Sequence, residues 1–180
     1  MILGIDKIHK LIKKNKLVSG LCERELKNPE GAGLDLRIGE VYLLEEGGFL
    51  GVNDRKTPKM KLIGKYEEGK STIIDIKPNE YYVMQTIEEV NTPSNILILF
   101  RPRTTLFRSG LTLYTGNCSP GYKGKLTFGL KNHSNYNFKL ELGSRIVHAM
   151  FHKVKGKTNM YRGQWQFGRI STDGKKEVQI

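Results

Sequence analysis

The sequence predicts an all-β domain that begins with a short helix. Three features favour this fold class: many short runs of strand-forming residues, alternation of apolar and polar residues within several of them, and turn-forming residues between them. Short strands at close spacing indicate a sandwich or barrel-like fold rather than βαβ units. At 180 residues, the chain has the size of one domain.

The helix is predicted close to the start of the chain. Ile5, Ile8 and Ile12 recur at helical spacing, with Leu11 beside them. Lysines occupy several of the positions between them, so one face of the helix is apolar and the other is cationic.

Strands are predicted from residue 34 onward, where Leu34, Leu36 and Ile38 alternate with Asp, Arg and Gly. Further strands are predicted over 72–76, 81–86, 95–101, 125–132, 137–142 and 145–154. The segment 46–70 is rich in Gly and Lys and is predicted to be a long loop or a flexible hairpin. We therefore expect a β domain with its N-terminal helix over 1–154 and a C-terminal tail or flap over 155–180.

The composition narrows the class of protein but leaves its partner open. The chain carries 30 Lys and Arg against 18 Asp and Glu, a formal charge of +12. This charge suits nucleic acid, an anionic membrane or a nucleoside triphosphate, and it also suits an ordinary solvated surface. The longest apolar run, 96–100, is too short for a membrane span, and the first residues lack a signal-peptide pattern. Cys22 and Cys118 support neither a disulfide scaffold nor a zinc site, so a cytoplasmic protein is expected.

The sequence motifs of several enzyme classes are absent, among them GxxxxGK[ST], GxGxxG, HExxH and GxSxG. Five segments that mix glycine with polar residues remain as candidates for a functional site: 31–37, 101–110, 117–124, 143–148 and 161–169. Taken singly, each also fits a structural role. Asp35 and Arg37 suit an exposed ion pair at the start of a strand, for example.

The segment 101–110 has the chemistry of a phosphate site. A buried strand ends there in three arginines and three hydroxyl side chains. Guanidinium groups and hydroxyls at a strand-to-helix junction bind phosphate oxygens through charge-assisted hydrogen bonds, although an ordinary basic loop has the same composition. The segment 161–169 mixes aromatic residues with Arg and Gly, which suits a flap over a nucleotide and equally suits a tail packed on a neighbour.

Taken in order, the five segments resemble the motifs of trimeric dUTPases and dCTP deaminases. The similar pairs are GAGLDLR with AGxDLR, PRTTL with PRSxL, PGYKG with the third motif, GSRI with the start of GxRIAQ, and YRGQWQ with YxGxYQG. The opening helix and Asn28-Pro29 bring the chain nearest to the archaeal type of dUTPase. The resemblance implies a distorted jelly-roll of the β-clip kind and a homotrimer with active sites between subunits.

The resemblance also implies roles for individual residues at the nucleoside end of the site. Tyr122 would lie beneath the deoxyribose, where its ring rejects a 2′-hydroxyl. The hairpin around it, including Asn117 and Gly121, would read the pyrimidine. The C-terminal segment would close over the nucleotide, chiefly through Tyr161, Arg162, Gln166 and Arg169.

At the phosphate end, Asp35 would hold a magnesium–triphosphate through water, and Mg²⁺ is the cofactor that the resemblance implies. The residues expected to bind the phosphates and the rest of the substrate are Arg103, Thr104, Thr105, Arg108 and Arg145. Mg²⁺ and Arg would together neutralise the triphosphate so that water can attack the α-phosphorus.

Two positions depart from the family patterns. Ser119 stands where dUTPases have the acid that orients the attacking water, and Gly129 stands where deaminases have a Glu. His148, at the Gln position of the fourth motif, is a candidate replacement base or else a satisfied strand histidine. The expected catalytic residues are therefore Asp35, Arg103, Ser119 and His148.

The predicted function is a dUTP diphosphatase, since Tyr122 and the Glu-free strand 125–131 follow the dUTPase pattern. A non-catalytic or regulatory deoxynucleotide-binding protein is the first alternative, because Ser119 and Gly129 remove both usual acids. A dCTP deaminase is the second alternative. The expected partners are dUTP or dCTP and further copies of the chain, with no membrane, and binding to nucleic acid is not expected.

Overall fold

The computed structural model describes residues 1–179, and antiparallel strands dominate them. The helices are α1 (Ile5–Asn15), α2 (Glu23–Lys27) and α3 (Thr104–Arg108), and a 3-10 turn lies at Gln166–Gly168. The strands are β1 (Val18–Ser19), β2 (Leu34–Leu44), β3 (Phe49–Leu50), β4 (Asp54–Lys56), β5 (Met60–Lys65), β6 (Ile73–Ile76), β7 (Tyr81–Asn91), β8 (Ile96–Pro102), β9 (Leu111–Tyr114), β10 (Lys123–Asn132), β11 (Phe138–Glu141), β12 (Arg145–Lys153) and β13 (Glu177–Val178).

The main sheet runs in the order β8-β12-β2-β7-β10-β9, with β5 paired to β2 and β1 paired to β7. Strand β2 connects its two parts. The first half of β2 pairs with β12, and its second half pairs with β7 and β5. The register shifts between Ile38 and Glu40. Gly39 lies at this point, and a Cβ on it would crowd the Ile87 backbone.

The core lies between the apolar faces of these strands. Leu34, Leu36 and Ile38 are buried together with Ile98 and Phe151, whereas α1 contributes Ile8. This is the outcome that alternation predicts, because successive side chains of a strand point to opposite faces. The predicted all-β class, the N-terminal helix and the six strands listed from residue 72 onward are confirmed.

Of the two alternatives for 46–70, the long loop is wrong, because β3, β4 and β5 all lie there, and a hairpin is present in β3 and β4. These strands are short and have few buried residues, so no alternation marks them in the sequence. Strand β4 pairs with its sequence neighbour β3 on one side and with the distant β13 on the other.

The C-terminal segment 155–179 runs back along its own chain. Tyr161 donates a backbone hydrogen bond to Pro120, Thr172 exchanges hydrogen bonds with Thr57, and β13 pairs with β4. Whether it acts as a flap stays a prediction. The helices of residues 1–179 include none with the length and apolar character that a membrane span requires.

Candidate functional site

A buried carboxylate surrounded by cations is the first candidate centre. Asp35 is 1 % exposed. Its Oδ2 accepts hydrogen bonds from Nη1 of Arg103 at 2.5 Å and from Nη1 of Arg145 at 3.0 Å, and its Oδ1 lies 2.9 Å from Nδ1 of His148. The alternative of an exposed Asp35–Arg37 ion pair is wrong, since Arg37 pairs with the buried Glu88. We call Asp35, Arg103, Arg145 and His148 the Asp35 cluster.

The strand register assembles this cluster. His148 on β12 lies opposite Asp35 on β2, and Arg145 lies opposite Arg37. Arg103 follows β8, the other neighbour of β12, and caps the start of α3 in an extended conformation. Gly33 leaves space for the His148 ring, because a Cβ at Gly33 would collide with that ring. The strand-to-helix junction expected at 102–104 is therefore present.

Asp35 remains ionised at neutral pH. Burial acts to raise the pKa of its carboxyl group, but the hydrogen bond with His148 and the charges of Arg103 and Arg145 outweigh burial and lower that pKa. The two guanidinium groups are each about one-third exposed. The cluster is therefore a fixed anion that orients partly exposed cations, and those cations can bind a further anion.

Helix α2 adds two residues that the sequence motifs did not indicate. Glu25 is fully buried, and its Oε2 accepts a hydrogen bond at 2.9 Å from the backbone N–H of Asp35. Arg24 pairs with Glu25, and its Nη1 lies 3.7 Å from Oδ2 of Asp35. Arg24 and Glu25 stand shortly before the 31–37 segment in the sequence, but no local pattern predicts that they contact Asp35.

The second candidate centre is the hairpin turn at 119–123, which packs against the C-terminal segment. Tyr122 is buried, and its hydroxyl donates to the Lys125 carbonyl at 2.6 Å. Burial raises the pKa of Tyr122 to about 12, so the phenol is neutral. The Tyr161 ring meets the Tyr122 ring edge-on at 5.4 Å between centroids. Gln166 accepts from the Lys123 N–H at 2.8 Å and donates to the Gly121 carbonyl at 2.9 Å.

A cavity of about 490 Å³ lies between this turn and the C-terminal segment. Its walls are mostly apolar and include six aromatic residues: Tyr81, Phe100, Tyr122, Phe128, Tyr161 and Trp165. Asn117 and Ser119 add polar groups at one side. A volume of this size, lined by aromatic groups with a few polar atoms, is typical of small-molecule sites.

Ser119 has no partner that would activate it. Within the described part of the chain, its hydroxyl accepts a hydrogen bond from Asn117 at 3.2 Å and contacts no carboxylate or imidazole. A hydroxyl without such a partner does not act as a base at neutral pH.

The other predicted residues divide between the two centres. Thr104, Thr105 and Arg108 lie on α3, which directly follows Arg103. Arg162 lies in the C-terminal segment. Arg169 lies there too, where it lines the cavity and pairs with Glu177.

One subunit does not bring the two centres together. Ile98 and Cys118 form an antiparallel bridge, so the chain runs from Ile98 to Arg103 in one direction and from Cys118 to Tyr122 in the opposite direction. Tyr122 accordingly bonds to Thr92, at the other end of β8 from Arg103. Arg103 of the Asp35 cluster and Tyr122 thus lie at opposite ends of β8, and the cavity extends from Tyr122 along the strand as far as Phe100.

The number of free acceptor positions on Asp35 limits how Mg²⁺ could bind at this site. A carboxylate offers about four acceptor positions, and three are used by Arg103, Arg145 and His148. Residues 1–179 contain no group of three or more His, Cys, Asp and Glu side chains that could hold a metal ion. Mg²⁺ commonly binds through one or two carboxylates, waters and substrate phosphates. The described residues thus offer Mg²⁺ no direct set of ligands, and the buried Asp35 has one acceptor position left, so an ion here would have to arrive hydrated and carried by phosphates.

Comparison with known proteins identifies relatives of two named activities. The family model described as "dCTP deaminase-like" matches residues 2–154. A probable deoxyuridine 5′-triphosphate nucleotidohydrolase of Methanopyrus kandleri is 30 % identical over 135 residues, which cover 74 % of this chain and 84 % of that protein. A dCTP deaminase of Pyrococcus furiosus is 31 % identical over 156 residues, covering 86 % and 87 %. The similar identities do not distinguish the two reactions.

A solved structure shows the same fold. The 2′-deoxycytidine 5′-triphosphate deaminase of Agrobacterium tumefaciens superposes with a TM-score of 0.61 at 16 % sequence identity. The match covers 83 % of this chain and 47 % of that chain.

Proposed function

The chain belongs to the dCTP deaminase-like family, and we propose that it is a dUTP diphosphatase, which converts dUTP and water to dUMP and diphosphate. The observation that carries this proposal is the Asp35 cluster. Arg103 and Arg145 are held by a buried carboxylate yet remain about one-third exposed, so both can donate to phosphate oxygens without losing their position.

The cavity beside Tyr122 supports a nucleoside at the other end of the site. Its aromatic walls suit a flat base, and the neutral Tyr122 ring offers a surface for a sugar without a 2′-hydroxyl. Because Tyr122 and Arg103 lie at opposite ends of β8, we propose a homotrimer in which the cluster of one subunit meets Tyr122 of the partner subunit.

The environment of Gly129 favours hydrolysis over deamination. Gly129 has no side chain, and a Cβ there would collide with the hydroxyl of Tyr81. Deaminases of this family have a Glu at the position, and an acid is needed to move protons during attack at C4. The Gly129 position therefore supplies no acid, and a side chain there would have to displace Tyr81.

We propose that His148 activates the attacking water. Its Nδ1 is paired with the ionised Asp35, an arrangement that leaves Nε2 available as an acceptor and orients the ring. Bound Mg²⁺ would neutralise phosphate charge and polarise the phosphorus. Arg103 and Arg145 would stabilise the charge that develops on the phosphate oxygens.

A non-catalytic deoxynucleotide-binding protein is the second candidate. Ser119 lacks a carboxylate partner, and the tight Asp35 cluster would bind phosphates equally well without turnover. This candidate requires saturable binding of dUTP or dCTP without product.

One assay separates these reactions. The purified protein is incubated with dUTP, dCTP and dTTP plus Mg²⁺, and the products are separated by chromatography. The proposal expects dUMP and diphosphate from dUTP. Ammonia and a uracil nucleotide from dCTP would show deamination. Intact dUTP, with binding detected by calorimetry, would show the non-catalytic alternative.

A further inference from the structure

Tyr81 is the cavity tyrosine whose hydroxyl has no hydrogen-bond partner among residues 1–179. The hydroxyl of Tyr122 donates to the Lys125 carbonyl, and that of Tyr161 accepts from the Trp165 N–H. The Tyr122 proton is therefore paired and the Tyr161 oxygen already accepts once, whereas Tyr81 makes neither kind of hydrogen bond with any of the described residues. The Tyr81 hydroxyl belongs to the same cavity and is free to bond to whatever enters it.

Gly129 determines where that hydroxyl lies. In the antiparallel register, Gly129 faces Val83 on β7 and Tyr114 on β9, so Tyr81 is its diagonal neighbour on the same face. The Tyr81 hydroxyl occupies the space that a Cβ of Gly129 would take. The Tyr114 ring supports the Tyr81 ring from the other side, at 6.0 Å between centroids. Tyr114, in contrast, is absent from the cavity wall.

We propose that the Tyr81 hydroxyl reads the 4-position of the pyrimidine and selects a carbonyl over an amino group. The inference rests on the proposed function, since it places a deoxynucleotide base in this cavity. It adds a specificity-determining residue that lies outside the five sequence segments.

The hydrogen-bond inventory of a phenol gives the direction of the preference. When the hydroxyl donates to a carbonyl oxygen, its proton is paired. When it accepts from an amino group, its own proton needs a second acceptor, and the described residues place none within hydrogen-bond distance of Tyr81. Tyr81 is 40 % exposed without a ligand, but a base bound in the cavity would exclude water from its hydroxyl. A donor left unpaired there is costly, so the phenol favours uracil over cytosine. Burial beside Tyr114 raises the pKa of Tyr81, which keeps the donor proton in place.

The test compares Tyr81→Phe with Tyr114→Phe, a matched control that removes the hydroxyl of the other ring in the same pair. Affinities for dUTP and dCTP analogues with an imido bridge between the α- and β-phosphates are measured by calorimetry with Mg²⁺, so that turnover does not interfere. We expect Tyr81→Phe to lower the preference for the uracil analogue roughly tenfold, the equivalent of one hydrogen bond. Tyr114→Phe should keep the wild-type preference.

The possible outcomes separate this inference from the function on which it rests. Equal preference in the wild type and in Tyr81→Phe, with both analogues bound, would overturn the role of Tyr81 and leave the proposed function intact. A similar loss in both variants would also overturn it, because the pair would then act only through packing. Failure of the folded wild type to bind either analogue would overturn both.

Discussion

At the scale of single residues, one carboxylate organises the phosphate end of the site. Asp35 is buried, yet its partners keep it charged, and three side chains take their positions from it. A buried charge of this kind is tolerated because each of its hydrogen bonds is made to a cation or to an imidazole. The stability of the fold and the geometry of the site therefore depend on the same group.

Replacement of Asp35 should change the free energy of unfolding by an amount that depends on pH. The folded-state pKa of Asp35 is lowered, so its contribution to stability is complete above the ordinary Asp pKa and is lost as pH falls through the folded value. We expect Asp35→Asn to lower the free energy of unfolding by about 2 kcal/mol near pH 7. The difference from the wild type should shrink below about pH 4. Urea denaturation at several pH values measures it.

Asp6→Asn is the control for that experiment, because Asp6 is exposed and pairs only with Lys7 at 3.6 Å. It should change the stability little at any pH. A constant difference between the wild type and Asp35→Asn from pH 7 to pH 3 would contradict the account of Asp35 as a paired, ionised group.

His148 is predicted to affect turnover more than binding. If it activates water, His148→Asn should reduce kcat for dUTP by about 10²- to 10⁴-fold, with a small change in KM. His133→Asn, an exposed control in the turn between β10 and β11, should leave both constants unchanged. A loss confined to KM, or a kcat equal to that of the wild type, would assign His148 a structural role instead.

The sequence identified some residues of the candidate site and missed others, and the difference has a physical reason. Asp35, Arg103, Arg145 and His148 occur in three separate segments, and the strand register does bring them together. Ring packing and the contacts at a glycine depend on atoms far apart in sequence. For that reason Tyr81 over Gly129, and Arg24 beside Asp35, had no local signature.

At the scale of elements, the sequence pattern predicted the longer strands but missed the four-residue β9, although its residues alternate between buried and exposed. It failed at β3, β4 and β5, where few side chains are buried and the pairing partner of β4 is β13, more than a hundred residues away. Helix α2 is too short for a periodic pattern. It is held against β2 by the hydrogen bond from the Asp35 N–H to the buried Glu25. Elements that depend on distant contacts are not encoded in local patterns.

The C-terminal segment offers an element-scale prediction. Gln166 holds the segment to the hairpin turn through two hydrogen bonds, each worth about 1 kcal/mol. Gln166→Leu should therefore raise KM for dUTP by about tenfold and speed proteolysis within residues 155–170. Gln164→Leu is the control, because Gln164 bonds to Val178 at the far end of the segment. Equal effects of the two variants would contradict a specific role for the contact with the turn.

At the scale of the whole molecule, the two centres lie apart within one chain. The bridge between Ile98 and Cys118 places Arg103 and Tyr122 at opposite ends of β8. The proposed trimer would join the Asp35 cluster of one subunit to Tyr122 of the partner subunit.

Mixed oligomers test this arrangement. Arg103→Ala should abolish hydrolysis by removing a phosphate contact, and Tyr122→Ala should abolish it by removing the surface for the sugar. If each site combines the Asp35 cluster of one subunit with Tyr122 of the partner subunit, unfolding and refolding the two inactive variants together should restore a fraction of the activity. Random assembly of trimers from equal amounts leaves about one site in four with both wild-type halves, because each half is intact with even odds. Refolding each variant alone is the control. Activity that stays absent in the mixture, with trimers verified by sedimentation, would mean that each site is built within one subunit.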